Sequence, residues 1–431
     1  MKKLALAIIV VLAVGLRLYN ISNPVADWHS WRQSDTAAVA RNFLRFGIDP
    51  LHPRYDDLSN IQSGKDNPQG WRMVEFPLYQ TIAALMARSF PALSVEIWLR
   101  AITIAASAAT VILLGNMAGV LAALVFAVLP YSVYFGRTIL PEPFMVFWAI
   151  LSLWLLTRKH IVLAAVSAAI ALLVKPTAIF LLLPSFYLLY KKFGKLLLYW
   201  FIAVLPLALW RRWILQFPEG IPVFWWLLNG NGIRFKGAWF YWLFAKRLAE
   251  LILGYWGLIP FALGVSLWWG IGALLYFIVF ATGNVQHDYY QILVIPAVAV
   301  FVGKGLTKLR PALAIVSVVF MLAFSWYTIR TYYWINRPEI VEAGRKANEM
   351  LPQEAKVIAP YNGDTTFLYQ TKRQGWPLGF DIDKKIAMGA THYVTVSPTD
   401  ADLETKELVE KYTVLVRNDK YAIIDLTTLK K

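Results

Sequence analysis

The sequence predicts an α-helical polytopic membrane protein of about 11 to 13 spans with a small α/β domain at its C-terminal end. Three observations predict it. Of 431 residues, 58% are hydrophobic and only 16% charged, at a mean hydropathy of +0.52, a balance foreign to ordinary soluble domains. Uncharged apolar stretches long enough, or nearly long enough, to cross a bilayer recur from Leu4 to about Trp334. From Arg337 onward the composition is that of a soluble domain. A soluble enzyme, a disordered regulator and a coiled coil are excluded.

The N-terminal residues 1–16, two lysines followed by an apolar run, have the outline of a secretory signal, with Ala13-Val14-Gly15 as a small-residue cleavage site. Arg17 and the many spans that follow make it an anchor instead. Its lysines set the N-terminus in the cytoplasm, so the polar stretch from about Asn20 to Glu75 is expected outside. Short basic loops at Arg158-Lys159-His160, Lys191-Lys192 with Lys195, and Lys304 to Arg310 mark the cytoplasmic face. On the outer face this orientation places the loop Arg137 to Glu142, the turn at Lys175, the Trp-rich stretch Arg211 to Phe240, the segment Asn284 to Gln291, and everything after Trp334. Between Phe76 and Ser132 there are three apolar pieces, near residues 76–90, 100–116 and 117–132, where the orientation needs an even number of crossings. One of them must be re-entrant, surface-lying or split.

After Arg337 a Pro338-Glu339 start opens a helix, and β-rich runs follow at residues 356–360, 392–397, 413–417 and 421–426, with a helix over 402–412 between the second and third. These make a small α/β domain outside the membrane, residues 337–431, distinct from a membrane module over 1–334.

The charge distribution narrows the partners. Residues 1–332 hold 28 Lys and Arg against 12 Asp and Glu, whereas residues 333–431 hold 14 of each, so the net +16 belongs to the membrane half. There it fits cytoplasmic loops and the binding of anionic lipid or phosphate, and no basic helix or RNA-binding motif points to nucleic acid. With no Cys there is no disulfide and no thiolate metal site.

Ionisable residues stand where apolar ones would be cheaper. The first loop reads Asp27-Trp28-His29-Ser30-Trp31-Arg32-Gln33-Ser34-Asp35, becomes helical from Asp35, and puts Asp35, Ala38 and Asn42 on one face. Glu75 opens Glu75-Phe76-Pro77-Leu78-Tyr79; Arg137 and Glu142 bracket Gly136-Arg137-Thr138-Ile139-Leu140-Pro141-Glu142; Lys175 sits in Val174-Lys175-Pro176; His287-Asp288-Tyr289-Tyr290 completes the set. Each alone reads equally as an interfacial residue, as a helix-start acid at Asp35, or as a Glu142–Arg137 ion pair. Together on one face they point to function.

In this order the motifs resemble the phospholipid-carrier-dependent glycosyltransferases of the GT-C fold, and within them the protein-mannosyltransferase and aminoarabinose-transferase relatives (glycosyltransferase family 39 type). The resemblance covers most of residues 1–330. It implies an inverting transferase that moves a sugar from a polyprenyl-monophosphate carrier to a glycan, lipid or protein hydroxyl on the outer side of the cell membrane. It also implies a general base in the first loop, Asp35, with Asp27 as the fallback, because the adjacent Asp-Glu pair often seen in relatives is absent here.

The chemistry asks for the same residue types. A carboxylate must take the acceptor proton, and cations must stabilise the departing phosphate. Arg137, Lys175, His287 and Arg32 are the expected phosphate-binding residues, with Glu75, Glu142 and Tyr290 expected around the substrate. A divalent metal is left open: Asp27, Asp35, Glu75 and Glu142 offer oxygen ligands, and no spacing specifies a site. The alternative is a multi-span lipid or polysaccharide flippase, which would show paired, interrupted half-repeats.

Overall fold

The computed structural model describes residues 2–430 and is mainly helical, with one five-stranded sheet. The chain divides into two compact units, one of residues 2–21, 97–213 and 224–333, the other of residues 22–96, 214–223 and 334–430. The sequence reading kept the first loop with the membrane spans. In the structure residues 22–96 cluster with the C-terminal tail.

In the first unit the long apolar stretches are often broken. Among the described residues, four helices suffice by length and composition to cross a bilayer: Val95–Met117, Phe193–Ile214, Asp288–Leu306 and the one opening at Pro311. The pair Leu258–Gly264 and Leu267–Val279, bent by 116°, adds a fifth if it counts as one span. Glu142–Thr157, Ile161–Val174 and Ala178–Leu189 are apolar but shorter. The helix Leu78–Ser89, first of the three pieces between Phe76 and Ser132, has 12 residues and belongs to the second unit. At about 1.5 Å per residue it falls well short of a bilayer core of roughly 30 Å.

One break shows how the backbone is satisfied. Pro130 ends the helix Val120–Val128 and starts Pro130–Phe135, and because it has no N–H it leaves the carbonyl of Phe126 without its helical donor. The fully buried Arg17 fills the gap: its guanidinium donates to the carbonyls of Phe126 (3.1 Å), Ala127 (2.8 Å) and Ser132 (3.1 Å). The Ser132 hydroxyl donates to the same Phe126 oxygen at 2.7 Å. In an apolar setting unpaired carbonyls are costly, so a charge in the first helix becomes structural.

The second unit is built on a mixed sheet. Its strands are β1 (Lys356–Ile358), β2 (Gln374–Trp376), β3 (His392–Thr395), β4 (Tyr412–Arg417) and β5 (Ala422–Leu429), in the order β2-β1-β3-β5-β4. The first three run parallel, while β5 pairs antiparallel with β3 and β4. Strand alternation sends Val357, Val394 and Ile423 to one face and Ile358, Tyr393 and Ile424 to the other. Ile340, Ala343 and Ala347 of the helix Pro338–Met350 cover the first face; Ile382, Ile386 and Leu408 of two shorter helices cover the second.

β2 has no counterpart in the sequence reading, being three residues around a glycine. Gly375 is required there, since a Cβ would lie 1.7 Å from the carbonyl oxygen of Val357. The first loop pairs with this edge: Leu58 N–H donates to the Gly375 carbonyl at 2.8 Å and Gly375 N–H to the Asp56 carbonyl at 2.9 Å. An otherwise open sheet edge is thereby closed.

Candidate active site

In the second unit the helix Ser30–Phe46 carries Asp35. It starts five residues earlier than the sequence suggested, so Asp35 lies in its second turn rather than at its N-terminus, and the helix dipole does not account for it. Asp35 is 1% exposed. Thr365 Oγ1 donates to its Oδ1 at 2.7 Å, and Arg72 Nη2 lies 2.9 Å from its Oδ2. Arg32, three residues earlier, pairs with Glu75 at 2.5 Å, both buried. Further along, Asn42 and Arg41 hold Asp56. Burial raises the carboxyls of Asp56 and Asp364, and pushes that of Asp57 up to about 6.

Asp27 precedes the helix, and its Oδ1 accepts from Gln33 Nε2 at 2.7 Å. It is 3% exposed, yet it lines a cavity of about 280 Å³ together with Trp28, His29, Trp31, Arg337, Tyr361 and Asp364. His29, at the helix start, holds a left-handed backbone (φ 57, ψ 32), a conformation that costs a non-glycine residue about 1–2 kcal/mol. The two walls of the cavity are tied together: Thr365 donates also to the Trp31 carbonyl at 3.3 Å, Thr366 Oγ1 to Ser30 Oγ at 2.9 Å, and Gln370 Nε2 to the Val25 carbonyl at 2.8 Å.

The first unit carries the remaining candidates. Glu142 opens the helix Glu142–Thr157 and pairs at 2.7 Å with Lys175, just after the end of the helix Ile161–Val174, rather than with Arg137 as the ion-pair reading had it. Arg137 is fully buried, its guanidinium 4.6 Å from the ring of Tyr333 and 5.2 Å from that of Tyr134, and it donates to the Asn20 carbonyl at 3.3 Å. His287 packs against Trp226, Tyr289 and Tyr290, each ring centroid 5.8 Å away. Tyr290 stacks on Tyr289 at 4.7 Å, and its carbonyl accepts from the Tyr276 hydroxyl at 3.3 Å.

Sequence reasoning missed three participants. Arg72 stands three residues before Glu75 in a loop, Thr365 is 330 residues from its partner, and Arg247 reaches toward Asp288 from the π-helical stretch Tyr241–Ile252. Only Arg247 left a signal, as half of a Lys246-Arg247 pair in apolar surroundings. Tyr332 donates to the Asp288 carboxylate as well. Among the described residues no three His, Asp or Glu side chains gather as metal ligands. Asp35, Glu75 and Glu142 face Arg72, Arg32 and Lys175 instead.

No family model and no curated protein matches the chain by sequence. Solved structures match it in shape. ArnT from Cupriavidus metallidurans bound to undecaprenyl phosphate superposes with a TM-score of 0.67 at 14% identity, over 98% of this chain and 97% of that one. Its apo state gives 0.66 at 12% identity, with the same coverage. The archaeal oligosaccharyltransferase AglB from Archaeoglobus fulgidus, in complex with an inhibitory peptide and a dolichol-phosphate, gives 0.52 at 10% identity, over 98% of this chain and 74% of that one. At such identities it is the architecture that is shared, and over nearly its whole length the chain has the fold of the GT-C membrane glycosyltransferases.

Proposed function

We propose that the chain is a membrane glycosyltransferase that moves a sugar from a polyprenyl-monophosphate carrier to an acceptor hydroxyl outside the cytoplasm, inverting the anomeric centre. The fold supports the class, and the solved neighbours that hold undecaprenyl phosphate or a dolichol-phosphate support the donor type. The acceptor oxygen attacks C1 of the donor sugar, the bond from C1 to the phosphate oxygen breaks, and the polyprenyl phosphate leaves with the electron pair. A carboxylate takes the acceptor proton. Arg137, Lys175 and His287 stabilise the charge growing on the phosphate, Glu142 holds Lys175 in place and Tyr290 offers a ring to the substrate; in the second unit Glu75 holds Arg32. The basic loops around Arg158, Lys191 and Lys304 support a cytoplasmic N-terminus and an external tail.

Access favours Asp27 over Asp35 as the base. Asp35 was the first choice from the sequence, but its two oxygens face Thr365 and Arg72, whereas Asp27 lines a cavity that an acceptor can enter. Asp27 is therefore assigned as base, and Asp35 as a positioning residue that holds Thr365 and the cavity wall. Asp27→Asn should lower turnover by about 100-fold or more while keeping donor binding. Asp35→Asn should lower it less and reduce thermal stability. Near-normal turnover in Asp27→Asn beside an inactive, well-folded Asp35→Asn would return the role to Asp35.

A further inference from the structure

The cavity beside Asp27 has a composition of its own. At about 280 Å³ it has the volume of roughly nine waters, the scale of one ring-sized group with a little solvent. Three aromatic side chains line it, Trp28, Trp31 and Tyr361, and between them stand the planar polar groups of Asp27, His29, Asn336, Arg337 and Asp364. Flat aromatic faces suit the C–H faces of a pyranose, and planar carboxylates and amides suit its ring of hydroxyls. An apolar ligand would make no use of these polar groups and would leave the buried Asp27 facing hydrocarbon.

The charge of the lining excludes an anion. Two carboxylates, Asp27 and Asp364, stand against the single guanidinium of Arg337, which is itself paired with Glu339. A phosphate or sulfate would meet net negative charge, whereas hydroxyl groups can donate to both acids. The walls are already in place for such a ligand, because Thr365, Thr366 and Gln370 fasten the 361–370 segment to residues 25–35. A wall fixed in advance leaves little ordering to be done on binding, which is what a small, weakly gripping ligand needs.

We infer that this cavity is the acceptor subsite and that it selects an uncharged saccharide, seating one monosaccharide ring of the acceptor against Trp28, Trp31 and Tyr361 with a hydroxyl toward Asp27. The inference rests on the glycosyltransferase reading for the word acceptor, while the binding of a neutral sugar is testable without any donor. The ring belongs either to a free glycan or to the head of a glycolipid; the chemistry recognised is the same.

The test is binding to the purified full chain in nanodiscs, with no donor present, followed by calorimetry and Trp fluorescence. The probes are neutral methyl hexopyranosides, their 6-phosphates, and the same neutral rings carried on lipid. A neutral ring should bind, and its 6-phosphate should bind at least 10-fold more weakly. Trp28→Ala and Tyr361→Ala should each weaken the neutral ring by about 10-fold, roughly 1.4 kcal/mol, while Tyr361→Phe should keep most of the affinity. Trp28 is 40% exposed, so its removal should leave the unfolding temperature unchanged and the loss attributable to contact. Binding of the free hexoside assigns a glycan source; binding only of the lipid-borne ring assigns a glycolipid. Preference for the phosphorylated ring, absence of binding by every neutral probe, or neutral-ring affinity untouched by both alanine variants overturns the inference. Saccharide binding without donor turnover would leave the subsite standing and remove the transferase; turnover onto an acceptor that carries no sugar would do the reverse.

Discussion

Asp57 is fully enclosed, and burial above all, opposed by hydrogen bonds from Ser59 and aided by the charge of Asp35, pushes its carboxyl up to about 6. An unfolded aspartate titrates near 4. Between those values the folded chain keeps a proton that the unfolded chain has released, so this group's contribution to stability falls as pH rises from about 4 to about 6. Asp57→Asn removes the charge and leaves an oxygen for Ser59. Its unfolding temperature should equal or exceed that of the parent at pH 7.5, with the difference closing toward pH 4.5; a variant less stable at pH 7.5 than at pH 4.5, each relative to the parent, would contradict this. Single residues also mark how far the sequence could be read. Asp27, Arg32 and Asp35 were visible because charge next to long apolar runs demands a reason. That Asp35 would be closed in was invisible, since Thr365 comes from the far end of the chain and Arg72 from an irregular loop with no periodicity to place it.

The helix Ile295–Leu306 is held by contacts that leave no room for a side chain. A Cβ on Gly305 would lie 1.7 Å from the carbonyl oxygen of Pro260, and one on Gly264, in the partner helix Leu258–Gly264, would lie 1.8 Å from that of Phe301. On its other side a Cβ on Gly303 would come within 2.5 Å of the Ala122 nitrogen. Small residues let helices approach where lipid gives no hydrophobic drive to association. Gly305→Val should therefore destabilise the fold by more than about 2 kcal/mol, seen as loss of the monodisperse peak and a lower unfolding temperature. Gly15→Ala, with open space around its Cβ position, should be neutral; equal behaviour of the two variants would show that the close approach carries no stability. Elements with strong local patterns were legible from the sequence. The helices Pro338–Met350 and Leu403–Lys411 and the strands near 356, 392, 413 and 422 appear within a few residues of expectation. Apolar runs say where helix can form, but the break at Pro130 is satisfied by a partner, Arg17, which run length does not encode.

At the scale of the whole chain, composition alone announced the membrane, and the balanced charge after residue 333 announced the tail. The union of the first loop with that tail was not legible, because the pairing of Leu58 and Asp56 with Gly375 joins segments about 300 residues apart through main-chain groups that any sequence possesses. The basic loops predict an orientation that labelling can check: cysteines introduced near Ser397 should react with an impermeant reagent in intact cells, and cysteines near Lys192 should not; the opposite pattern would invert the topology. The most direct test of the central claim uses purified protein in liposomes supplied with a panel of polyprenyl-monophosphate-linked sugars and a neutral glycan acceptor. Acceptor-dependent release of polyprenyl phosphate, matched mole for mole by a glycoside of inverted configuration and lost in Asp27→Asn, is the expected result; passage of the intact lipid-linked sugar from one leaflet to the other, with no phosphate released for any donor, would contradict it and make the protein a carrier instead.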